Sequence, residues 1–352
     1  PQVVIPSGRI DQSTIVAKTD PSKASIIKLG EALGGVMGTY KAYAVNDYVP
    51  LDKIQQAPIK EWEYAGYSTI VSALDMDTAG NVYAGCWGSA DNYAVKKISP
   101  TGGLIWTYLG HTGTIYDIAV DANGNVYTCA GYDDASVRKI SPQGALIWKF
   151  TGFTEYVQNI AIDGEGYIYA VGPHSNDAKI KKISPSGGEV WSINQPECYH
   201  LDVDNAGNIY VRYAINSQGG IAKYDTNGNF QWGVSITGYP THIAVSKDGQ
   251  HLYVCTNASM HKCDPTNGTI LWSFYSDRTS NGVKADHAGR AYYYPRSTYV
   301  FCIAPTGRVL WEVPIAMEYY CSIGIKPDGS RVCVSDKNFK ILEYYNGHKI
   351  IA

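Results

Sequence analysis

From Ile115 to Trp148 the chain reads IYDIAVDANGNVYTCAGYDDASVRKISPQGALIW, and its order of apolar and polar positions recurs through the rest of the sequence. An alternating run ends at Asp121, a turn containing Gly124 follows, and a second apolar run carries Tyr127. A variable loop, a third run into Lys-Ile-Ser-Pro-x-Gly and a fourth run bearing Trp148 complete the unit. In DIAVD, period-two geometry puts Ile118 and Val120 on one side and Asp117 and Ala119 on the other. Four short runs bounded by turn residues predict four strands per unit, joined by tight turns.

The turn returns as Asp77-Thr-Ala-Gly-Asn81, Asp163-Gly-Glu-Gly166 and Asp204-Asn-Ala-Gly-Asn208, then in looser form at Ser246, Asp286 and Lys326. The closing tryptophans, Trp106, Trp148, Trp191, Trp232, Trp272 and Trp311, are spaced 42, 43, 41, 40 and 39 residues apart. Ile351 stands where a seventh would fall. A period near 40 residues marks a repeat architecture whose units cannot bury their apolar faces alone. Mostly small residues at the position of Ala119 (Asp75, Ala161, Asp202, Ala244, Lys284, Gly324) fit an innermost strand crowding a central axis. The expected fold is all-β: a seven-bladed β-propeller of four-stranded antiparallel blades over residues 58–352. The tryptophans are structural wedges in this reading.

Pro58 to Tyr64 has the look of a Trp-bearing strand with no unit before it. It is expected to pair with the last blade, beside or in place of Lys349 to Ala352, so that Trp62 zips the ring shut and removes two sheet edges. Residues 1–57 lie outside the repeat and form an N-terminal arm. Asp20-Pro21 followed by Ile26, Ile27, Leu29 and Leu33 before Gly34 predicts a short helix over 21–33. The arm is too small for its own core, so it is expected to pack on the ring or dock on another subunit.

Charge changes the picture by exclusion. A formal net charge of −3 with no Lys/Arg run disfavours nucleic acid. No apolar window is long enough to span a bilayer, and the opening PQVVIPSGRIDQ has no secretory pattern. The eight cysteines show no paired spacing, which reads as buried free thiols in a reducing compartment.

The units resemble propeller repeats of the pyrroloquinoline-quinone-like type, best in Cys263-Asp-Pro-Thr-Asn-Gly-Thr-Ile-Leu-Trp272 and Tyr224-Asp-Thr-Asn-Gly-Asn-Phe-Gln-Trp232. The D-x-N-G-N-x-Y turns are also similar to NHL-type repeats. The resemblance implies the fold. The quinone enzymes of that type carry eight blades and adjacent cysteines, and this chain has no adjacent cysteines and no C-x-x-C-H, so no cofactor is expected. Asp121-x-Asn123-x-Asn125 has calcium-loop spacing without the downstream Glu, and reads as a turn.

Variable loops enter the first strand of each unit while the opposite turns stay nearly constant, which places binding on the variable face. The position of Asp117 holds Ala73, Asn159, His200, His242, Gly282 and Ser322 in the other units. Asp117, Asn159, His200 and His242, with Asp202, Lys284, Tyr156, Tyr199 and Tyr319, form the candidate binding set around an axial funnel, and His111 is expected among the neighbours of its mouth. Two histidines and carboxylates there could hold a metal or run lyase- or lactonase-type acid–base chemistry. The plainer reading is a polar rim, and neither a catalytic nor a metal-ligating residue is assigned. The sequence thus favours a non-enzymatic interaction protein. Its arm anchors it to other protein subunits, as a homo-oligomer or part of a larger assembly, and its loop face meets a protein or glycan receptor. The most specific expectation is a phage virion or tail-particle subunit assembled in the cytoplasm; the alternatives are a cytoplasmic scaffold and the propeller enzyme.

Overall fold

The computed structural model describes residues 26–28, 48–50, 58–131, 133–172, 179–194, 197–215, 218–276, 279–296, 299–315, 322–338 and 340–345. Two compact units divide the chain. In the smaller, Ile26–Lys28 pairs antiparallel with Tyr48–Pro50. The helix expected over residues 21–33 is therefore corrected at its centre, which is a strand. The β-branched pair Ile26-Ile27 packs better on a pleated surface than in a helix, where its χ1 freedom is lost.

The larger unit, Lys60–Tyr344, is a seven-bladed propeller of four-stranded antiparallel sheets. Its innermost strands are Val71–Met76, Ile115–Val120, Asn159–Ile162, Cys198–Val203, Pro240–Val245, Ser280–Ala285 and Ile323–Ile325. Blades one to six take their next three strands outward in chain order. The seventh runs Ile323–Ile325, Arg331–Ser335, Ile341–Tyr345 and then Ile59–Tyr64. Residues 349–352 lie outside the described residues. Each innermost strand abuts the next, and the seventh returns to the first. At that seam Leu74 N donates to Ser322 Oγ at 3.1 Å, and Ser335 Oγ donates to Val71 O at 3.0 Å. Among the described residues the only helical turn is Ser89–Asp91.

The repeated residues each hold one joint. The turn aspartate folds back on its own loop: Asp77 Oδ1 accepts from Asn81 N at 2.8 Å, and Oδ2 accepts from Asn81 Nδ2 and the Tyr83 hydroxyl at 2.7 and 2.9 Å. Gly80 supplies the required φ of 86°. The same bonds at Asp121 occupy both carboxylate oxygens, so the calcium-like spacing is used as a turn. The turn tyrosines, Tyr83, Tyr127, Tyr169, Tyr210, Tyr253 and Tyr292, are fully buried. Each lies 6.0–6.4 Å, ring centre to ring centre, from the Trp of its own blade. Such pairs add about 0.5–1.5 kcal/mol beyond the area they bury.

Most of the tryptophans also reach the next blade. The indole N–H of Trp62, Trp106, Trp148 and Trp272 donates to the carbonyl of Pro100, Pro142, Pro185 and Pro305 at 2.9–3.0 Å, and that of Trp191 to Thr226 O at 3.2 Å. The Ser-Pro-x-Gly turn and the Trp are thus two halves of one inter-blade joint. The described cysteines are free and buried, among them Cys86, Cys129 and Cys255 on the second strands.

Candidate functional site: an axial channel

The seven innermost strands enclose a cavity of about 920 Å³. It runs from Trp87, Tyr116, Tyr156 and Tyr199, where these strands begin, to the Asp77, Asp121 and Asp163 turns where they end. Asp117, Asn159, His200, Asp202, His242, Lys284, Tyr156 and Tyr199 all line it. Tyr319 lies outside the described residues. His111 does not line the cavity, contrary to expectation. It is 4% exposed and shares a 2.7 Å hydrogen bond with Asp134 through Nδ1 and one of 2.9 Å with Thr128 through Nε2. The order of groups there is that of a hydroxyl–imidazole–carboxylate relay. Thr128 is fully buried, however, and Arg138 grips both Asp134 oxygens at 2.8 and 2.9 Å, so the network is a structural clamp within blade two. Burial alone would raise the Asp134 pKa, but hydrogen bonds from His111 and Ser136 hold it well below the usual carboxylate range.

In the throat, side chains of one innermost strand bond to the backbone of the next. Asp117 Oδ2 accepts from Asn159 Nδ2 at 2.6 Å and from Ile160 N at 3.1 Å, and Asn159 Oδ1 accepts from Leu201 N at 2.8 Å. Asp75 Oδ2 accepts from Val120 N and Asp202 Oδ2 from Val245 N, both at 2.9 Å. Parallel neighbours near an axis splay apart, leaving edge N–H groups that these short acceptors satisfy. Lys284 Nζ donates to Leu74 O at 3.2 Å and lies 3.7 Å from Asp75 Oδ1. Blade seven stands between blades six and one in the ring, and its Gly324 carries no side chain. A Cβ on Gly324 would stand 2.7 Å from Cys333 Sγ and 3.1 Å from Asp75 Cα.

Burial pushes the Asp117 carboxyl up to about 6 against the pull of Lys284, and raises Asp75 for the same reasons. Burial lowers the Lys284 ammonium, yet Asp75, Asp117 and Asp202 together outweigh it, and the net shift is upward. One cation is thus shared among three carboxylates.

His200 and His242 stand side by side, ring centres 4.9 Å apart and edge to face. Neither Nδ1 has a hydrogen-bond partner among the described residues. Burial, then His242, Arg212 and Lys284, holds the His200 imidazole well below its usual value. Burial with Arg212 and Arg296 takes His242 down to about 3. Among the described residues no three His, Cys, Asp or Glu side chains come together as a metal-ion cluster.

The rim is aromatic. Trp87 and Tyr116 meet edge to face at 5.6 Å, and Tyr116 and Tyr156 at 5.6 Å, forming an arc over blades one to three. Tyr199 continues the lining into blade four, where the Arg212 guanidinium lies 4.5 Å from its ring centre and 5.7 Å from that of Tyr239. Arg212 is absent from the sequence-based set, although a signal existed. In the second strands, the residue paired with position 117 is Gly85 (opposite Ala73), Cys129, Val171, Cys255 or Tyr294 (opposite Gly282), and the charge opposite His200 stands out from that uncharged column. No protein-family model and no curated protein matches this chain.

Proposed function

We propose that the protein is a non-enzymatic recognition propeller whose binding face is the aromatic channel mouth. The observation that carries this reading is a division of labour along the axis. Asp75, Asp117, Asn159, Asp202 and Lys284 are engaged between blades, while Trp87, Tyr116, Tyr156 and Tyr199 are half-buried along the cavity. Tyr116 and Tyr199 stand on innermost strands and Trp87 and Tyr156 close to strand ends, and aromatics so placed supply contact area at small entropic cost, as protein and glycan recognition require. Acid–base catalysis at neutral pH is poorly served by imidazoles titrating as low as about 3. The coarse reading, an interaction scaffold built on a propeller, agrees with the fold. Its finer setting in our proposal is a phage virion or tail particle, with residues 1–57 as the anchor to other subunits and the mouth turned outward.

Two measurements test the proposal. Screening the protein against glycan and host-surface panels should yield a binder that loses about tenfold or more with Trp87→Ala or Tyr116→Ala. Binding indifferent to both would remove the mouth from the reading. The solution mass of the full chain should exceed one copy and fall to one in a form starting at Gln56; identical monomers would remove the anchoring role.

A further inference from the structure

Arg212 is a buried cation without a counter-ion among the described residues. It is 9% exposed, and its Nε and Nη1 have no hydrogen-bond partner among the described residues. It lines the channel, with its guanidinium carbon 4.5 Å from the ring centre of Tyr199 and 5.7 Å from that of Tyr239. Cation–π contact offsets part of the desolvation cost but leaves the in-plane N–H donors unused. Around it stand other donors, and among the described residues no acid pairs with it. On the paired strand His200 faces it in register, His242 touches His200, and both imidazoles present a buried, unpartnered Nδ1. From blade six Arg296 lines the same wall, with Nε on Asn281 Oδ1 at 3.1 Å. The carboxylates of the throat are already bonded to blades two, three and five. The acid nearest in sequence, Asp204, is taken up by its own turn, where it accepts from Ala206 N and from Asn208.

Elsewhere this fold satisfies buried charge closely, as Asp134 with Arg138 and Asp286 with Arg290 show. We infer that Arg212, with His200 and His242, forms an anion subsite in the channel that receives the carboxylate of an acidic sugar. A guanidinium fork matches a carboxylate bidentately, and neutral imidazoles add N–H donors without further charge repulsion. A sugar is the fitting carrier because the channel continues past Tyr199 into the aromatic arc, where ring faces can stack. The inference rests on the recognition reading above and names the ligand class at one end of the same site.

The test is calorimetric titration of the full chain with glucuronate, with glucose as the neutral counterpart and with sodium sulfate. Glucuronate should bind, glucose should bind at least tenfold more weakly, and sulfate should bind more weakly than glucuronate. Arg212→Met should remove glucuronate binding by at least tenfold, and Arg212→Lys, which keeps charge without the fork, should weaken it too. Because Nε and Nη1 have no hydrogen-bond partner among the described residues and the Met side chain keeps contact with the two rings, Arg212→Met should unfold no more easily than the wild type. Lack of glucuronate binding, equal binding of glucose or sulfate, or a glucuronate affinity unchanged by Arg212→Met would each overturn the inference. So would a melting temperature lowered by Arg212→Met, since it would make the cation a structural element. If panel binders persist that need Trp87 and Tyr116 but not Arg212, the recognition reading stands and the anion subsite falls alone.

Discussion

Lys284 Nζ donates to the carbonyl oxygen of Leu74 at 3.2 Å, joining blade six to blade one across blade seven. It is also the shared counter-ion of Asp75, Asp117 and Asp202. Lys284→Met should therefore destabilise the propeller by about 1–3 kcal/mol, below the full cost of breaking a buried pair because the lysine keeps some solvent contact. Urea unfolding checks this. Adding Asp75→Asn should restore part of the loss, since it removes one uncompensated carboxylate; strict additivity would mean the pair does not interact.

The Asp117–Asn159–Leu201 chain of bonds ties three consecutive blades. Asn159→Leu leaves the Leu201 N–H and one Asp117 oxygen short of partners in a buried position. The expected cost is about 1–3 kcal/mol, read as a lower denaturation midpoint with an unchanged m-value.

Acid stability follows from the throat. His242 titrates near 3 in the fold and His200 is also depressed, so both stay neutral while unfolded histidines gain protons below about 6.5. Their contribution is intact above that pH and is lost as pH falls toward 3. Asp117 acts in the opposite sense. With its pKa raised to about 6, its contribution is full below the ordinary aspartate value and disappears as pH rises through 6. In thermal melts between pH 7 and 4, His242→Asn should flatten the decline on acidification. Asp117→Asn should steepen it. Unchanged profiles in both would refute the assigned environments.

The inter-blade tryptophan joint predicts graded losses. Trp148→Phe keeps a ring against Tyr127 but orphans the Pro185 carbonyl, costing about 1 kcal/mol. Trp148→Ala adds the lost packing and should cost about 3 kcal/mol or more. Equal effects of the two, measured by urea unfolding, would mean the indole N–H bond carries the whole joint.

What could be read from the sequence was whatever each unit repeats for its own local reasons. The Asp121 turn, Tyr127, the Ser-Pro-x-Gly turn and Trp148 recur because every blade needs the same hairpin and the same seam. The blade count followed from them. What could not be read were bonds made once. Lys284 bonds to the carbonyl of Leu74, 210 positions away in sequence. Asp117, Asn159 and Asp202 were correctly placed on the channel, but nothing local reveals that their oxygens are taken by the next blade. His111 was put at the mouth because its loop enters there, yet the Asp134 turn pulls it under the sheet. The strand at Ile26–Lys28 escaped because its partner, Tyr48–Pro50, is 20 residues further on.

Placing Ile59–Tyr64 as the outermost strand of the seventh blade carries a kinetic consequence. Glu63 and Lys340 form an ion pair 277 residues apart in sequence, so this contact can form only after almost the entire ring has been synthesised. Blades one to six are each built from contiguous chain and can fold as they emerge from the ribosome. The Ile59–Tyr64 strand, made before any blade, must meanwhile wait with its hydrogen-bonding edge open, and the last blade cannot complete without it. Loop-closure entropy makes such a non-local step slow. The nascent propeller thus passes through an open arc with two unpaired edges, the form most exposed to pairing with another copy.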